Sequence, residues 1–93
     1  MTMAADEENL TNEGEDTRVE SAVLQRVLDL HPTRATADEL VRDLAGEEAD
    51  FAARDGVERA IRELTGAGLL HRTDDDFVTP TRAAIHFGDL LGA

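Results

Sequence analysis

Ninety-three residues carry 21 acids against nine bases, a formal charge of −12, and all nine bases are arginine. With 41% hydrophobic residues but only three aromatics and no cysteine, the chain supports one small aliphatic core and excludes a second domain, disulfides and thiolate chemistry. No apolar run reaches the roughly 20 residues that cross a bilayer, and the N-terminus has acids where a secretory leader has bases, so the expectation is a soluble cytoplasmic protein that does not enter a membrane.

The first segment, residues 1–18, reads as a disordered acidic tail. It holds Asp6, Glu7, Glu8, Glu13, Glu15 and Asp16, no base before Arg18, and Leu10 as its one large apolar residue beyond the methionines; too little apolar surface is present to offset the entropy of ordering it. Six of the 21 acids lie in residues 1–17, so the remaining 15 against nine arginines leave residues 18–93 with −6. Arginine without lysine, together with abundant Ala, Asp, Glu and Gly, fits a GC-rich or salt-adapted background; otherwise an acidic surface repels phosphates and favours a protein partner.

From Val19 to the C-terminus the pattern is that of one folded domain, residues 19–93. Val19, Val23, Val27 and Leu30 recur at helical spacing, widened by Leu24 and Leu28, and Pro32 stops this first helix. Thr36-Ala-Asp-Glu39 is a capping box, after which Leu40, Val41 and Leu44 line a short second helix ending at Gly46. The polar stretch from Glu47 to Arg54 is too long for a tight turn, and an extra helical turn anchored by Phe51 is expected within it. Asp55-Gly-Val-Glu58 repeats the capping signal, and Val57, Ala60, Ile61 and Leu64 form the buried face of a third helix at about 56–66, closed by Gly66 and Gly68.

Beyond Gly68 the period becomes extended: Leu69–Thr73, an Asp74-Asp75-Asp76 turn, then Phe77–Thr79, two strands of a hairpin. Thr79-Pro80 places a capping hydroxyl before a proline suited to a first helical position, and Ala84, Phe87 and Leu91 give a closing helix one apolar face. No internal repeat is visible. The fold class is therefore mostly α with a small β-hairpin: a three-helix bundle, two strands and a C-terminal helix.

Val57-Glu-Arg-Ala-Ile-Arg-Glu-Leu64 followed by Ala67-Gly-Leu-Leu70 and Arg72 resembles the recognition helix and first wing strand of bacterial and archaeal winged helix-turn-helix regulators. The resemblance covers about seventy-five residues and points to no one subfamily. It implies a DNA-binding transcriptional regulator whose third helix enters the major groove while residues 69–79 act as the wing. It also implies that Arg59 and Arg62 meet bases or phosphates, with Arg54 and Arg72 holding the backbone. Double-stranded DNA is the implied partner, and a homodimer joined through the first and last helices matches two half-sites. Two features depart from the family: the wing tip is three aspartates, and the second and third helices are far apart in sequence.

Glu58 precedes Arg62, and Arg59 precedes Glu63, by four residues, so intrahelical ion pairs are an equal reading of these arginines. The three aspartates lack the alternating ligands of a calcium loop, and His31, His71 and His86 match no zinc spacing. No catalytic constellation or phosphate-cradling loop is present, and neither enzyme activity, cofactor nor metal is expected. The competing function is an acidic protein-interaction module with little or no DNA affinity. An uninterrupted basic face of Arg54, Arg59, Arg62 and Arg72 separates the first function from the second.

Overall fold

A computed structural model describes residues 3–92, with side chains described from residue 14 onward. Its elements are α1 (Met3–Leu30), β1 (Ala35–Thr36), α2 (Ala37–Ala45), α3 (Phe51–Gly66), β2 (Leu70–Arg72), β3 (Phe77–Pro80) and α4 (Arg82–Gly92). The protein is mostly helical with one small antiparallel sheet of order β1-β3-β2.

Leu40, Ile61, Val23 and Val78 are the most deeply enclosed large side chains, one each from α2, α3, α1 and β3. Val27, Val57, Leu64 and Leu70 complete the packing around them. The apolar positions read from helical spacing in the first three helices thus meet in one core. The sheet closes its open end through Val78 and Leu70, and removing this apolar surface from water supplies the main driving force for folding.

The helix boundaries follow local chemistry. At α2 the capping box is complete: the Glu39 amide donates to Thr36 Oγ1 at 3.1 Å, and the Thr36 amide donates to Glu39 Oε1 at 3.1 Å. The Glu39 carboxyl is held below its ordinary value chiefly by the backbone bond from Thr36, then by the Thr36 hydroxyl. A lowered folded value means that this stabilisation is present above the ordinary glutamate range and is lost as pH falls through the folded value. Thr36→Ala is expected to cost about 1 kcal/mol at neutral pH, and Glu39→Gln to flatten the acid limb of the stability profile, both read by urea unfolding across pH.

Four local expectations are corrected. The first helix, expected from Val19, begins at Met3. Residues 3–18 contain no proline and include four glutamates, which favour helix once nucleated by the packed half. The third helix begins at Phe51 rather than near residue 56: Asp50 is its cap, accepting from the Ala53 amide at 2.9 Å. Asp55 and Gly56 are therefore interior helical positions, and the link to α2 shrinks to residues 46–50. Phe51 anchors nothing, being 83% exposed.

The other two corrections concern the sheet and α4. The hairpin has a third strand, because Ala35 and Thr36 pair with Val78 and Phe77 of β3; a capping residue in extended conformation extends naturally into a strand. Pro80 ends β3 opposite Leu70 instead of starting the last helix, and Thr81 supplies the cap, its Oγ1 accepting from the Ala84 amide at 3.2 Å. The same hydroxyl donates to the Gly68 carbonyl at 2.8 Å. On α4 only Ala84 of the expected apolar face is buried; Phe87 and Leu91 are exposed.

The Asp74–Asp76 turn closes through Asp76 N to Thr73 O at 2.9 Å and Thr73 N to Phe77 O at 2.9 Å. Asp76 takes the left-handed conformation there, φ 69°, which aspartate tolerates better than most residues. Among the described residues no helix is long and apolar enough to cross a membrane.

Candidate nucleic-acid interface

α3 packs between α1 and α2 and abuts β2. Burying Val57, Ala60, Ile61 and Leu64 fixes which side of the helix meets solvent: Arg54, Arg59, Arg62 and Glu63 are exposed, while Asp55 and Glu58 are half-buried at the margins. Arg54 and Arg62 stand about 12 Å apart along the helix axis at 1.5 Å per residue.

The four arginines differ in what holds them. Arg54 donates from Nη2 to the Glu47 carbonyl at 3.1 Å, a neutral acceptor that leaves its charge uncompensated. Arg62 has no ion-pair partner among the described residues. Arg59 does: its Nη2 lies 3.4 Å from Asp16 Oδ1 on α1. Arg72 is the most constrained, with Nε 2.6 Å from Asp76 Oδ1 and Nη1 3.4 Å from Glu58 Oε2. The Asp76 hydrogen bond, with Glu58 nearby, raises the Arg72 guanidinium above its ordinary value against the effect of burial, so the charge is permanent but already engaged.

The pairs suggested by helical spacing do not form. Glu58 reaches across to Arg72 instead of along to Arg62, and Arg59 turns to α1 instead of Glu63. A cross-element partner wins where the neighbouring element brings a carboxylate to the margin of the helix, because i,i+4 pairs contribute only about 0.2–0.5 kcal/mol. Arg54, Arg59, Arg62 and Arg72 consequently do not make an uninterrupted basic face; Asp16, Glu58 and Asp76 lie between them. The Asp16 contact joins residues 43 apart, and nothing in the local spacing of the sequence signals it.

Two further features lie on other elements. Arg34, just before β1, stacks over Phe77 with its guanidinium carbon 5.0 Å from the ring centroid, an arrangement that leaves its edge donors free. Between α1, β1 and α2 lies an open concavity of about 490 Å³ lined by Arg26, Arg34 and Arg42 against Glu39, Asp43 and Glu47. There Arg26 pairs with Asp43 and Arg42 with Asp38. No cluster of three metal-ligating side chains occurs among the described residues.

No protein-family model, curated protein or solved structure matches this chain.

Proposed function

We propose that this chain is a winged helix DNA-binding domain of the transcription-regulator type, with α3 as the helix that enters the major groove and β2-β3 as the wing. The observation that carries the reading is the exposed side of α3, where Arg54 and Arg62 stand without carboxylate partners among the described residues, beside a hairpin that flanks the same helix. The strand order β1-β3-β2, with β1 inserted between the first two helices, supports the winged helix assignment. Arg62 is the base-reading candidate, because a guanidinium pairs bidentately with guanine or with phosphate oxygens. Arg54 is the phosphate contact at the start of the helix. The uncovered side of α4, where Phe87, Leu90 and Leu91 are 57%, 63% and 75% exposed, is where we place a second copy for a two-half-site operator.

The second reading is an acidic protein-interaction module on the same scaffold, favoured by the interrupted basic face, in which Arg59 and Arg72 are engaged by the chain's own carboxylates and Arg54 and Arg62 alone remain for phosphates. A salt titration of binding to mixed duplex DNA separates the two. A DNA-binding domain loses affinity linearly in the logarithm of salt concentration, with a slope of about −0.9 per phosphate contact; two to four engaged arginines give about −2 to −4. Absence of binding at about 50 mM salt, with the protein shown to be folded there, overturns the DNA reading in favour of the interaction module.

A further inference from the structure

The DNA reading leaves one problem, which is why a surface meant for phosphates keeps an acidic segment beside it. α1 supplies the answer in its geometry. Its C-terminal half is buried through Val23 and Val27, which fixes the helix axis, and residues 14–18 ahead of it are exposed. Asp16 then reaches Arg59 at 3.4 Å. A narrow cleft of about 110 Å³ between the two helices is lined by Asp16, Glu20, Gly56, Arg59 and Glu63, so three carboxylates share the cleft with one guanidinium, and of these Asp16 pairs with it. Gly56 adds no side chain here, and nothing lies within 4 Å of where its Cβ would be. The N-terminal sequence is also the most one-sided part of the chain, with six acids and no base through Thr17.

We propose that Asp16 of α1 is an intramolecular competitor for the DNA-facing side of α3, occupying Arg59 in place of a backbone phosphate. This regulation rests on the DNA reading of α3 given above. Carboxylate and phosphate oxygens make the same charge-assisted contacts to a guanidinium, so duplex DNA must displace Asp16 before Arg59 can join Arg54 and Arg62. The pair is suited to such exchange. Both side chains are about half exposed, 51% and 55%, and exposed pairs of this kind hold weakly. The consequence is a gate that discriminates against loose, non-specific duplex, which offers little beyond phosphate, and yields to a site that also satisfies Arg62.

The experiment compares matched single-charge variants of the full chain, Asp16→Asn and Glu15→Gln, for binding to a mixed-sequence duplex between about 50 and 200 mM salt. Both remove one negative charge from exposed positions one residue apart, but only Asp16 touches Arg59. Asp16→Asn is expected to tighten binding about threefold or more and to steepen the log-salt slope by about 0.9, the signature of one additional phosphate contact. Glu15→Gln is expected to leave the slope unchanged. Adding Arg59→Gln to Asp16→Asn is expected to abolish the gain, a coupling that a general charge effect does not produce.

Equal behaviour of Asp16→Asn and Glu15→Gln, with measurable binding by both, overturns the gate and leaves the DNA reading standing. Failure of every variant to bind at low salt, with unfolding midpoints unchanged, overturns the DNA reading and the gate with it.

Discussion

Ile61→Ala is expected to remove about 2–5 kcal/mol of stability, the range for deleting a buried branched side chain, measured by urea or thermal unfolding. Ile61 is fully buried at the centre of α3, where the helix meets α1 and α2, so the loss combines the transfer of its methyl and methylene groups with the cavity left behind. The upper part of the range applies because the core it shares with Leu40, Val23 and Val78 is built from different elements, which cannot close together on the gap without moving the backbone. Domains of this size hold about 5–15 kcal/mol in total, so the variant is expected to be partly unfolded at physiological temperature. A loss below about 1 kcal/mol contradicts the placement of Ile61 at the junction.

One residue further along, Arg62→Ala is expected to do the reverse. Its side chain is exposed and makes no ion pair among the described residues, so stability changes by less than about 0.5 kcal/mol, as for most surface substitutions. Duplex binding is expected to weaken by about 1–3 kcal/mol, or roughly 5- to 150-fold, if the guanidinium meets a base edge. Arg72→Ala is the informative contrast: with Asp76 and Glu58 already engaging its guanidinium, its removal perturbs the hairpin more than it perturbs binding. An Arg62→Ala protein that is folded and binds with unchanged affinity removes the main support for α3 as the reading helix.

The parts of the fold that were legible in the sequence are those decided by short-range chemistry. The Thr36–Glu39 box, the stop before Pro32, the buried stripe of Val57, Ala60, Ile61 and Leu64, and the hairpin around three aspartates all depend on residues within a few positions of one another. What escaped was competition between equivalent local signals. Asp50 and Asp55 both qualify as caps, and the helix takes the earlier one because Phe51-Ala-Ala-Arg54 propagates helix without interruption, absorbing Gly56 at a cost of about 1 kcal/mol. Thr79 and Thr81 likewise both precede a helical stretch, and pairing of Pro80 with Leu70 decides for the second.

The candidate site was legible as a set of arginines but not as an electrostatic surface. Arg54, Arg59, Arg62 and Arg72 follow from their positions on α3 and β2, whereas their states depend on which carboxylates other elements deliver. Glu58 is one turn from Arg62 in sequence yet faces β2, and Asp16 belongs to a segment whose composition alone reads as unstructured. Long-range pairs of this kind carry no periodic trace.

Thr81 has a mechanical consequence. A single hydroxyl both receives the first turn of α4 and donates to the Gly68 carbonyl, two residues beyond the end of α3, so the start of α4 is tied to the turn that follows α3. If two copies meet through Phe87 and Leu91, the tilt of one α4 against the other reaches the paired α3 helices through this tied turn. The pitch of the preferred duplex site would then be written in the way the C-terminal helices cross.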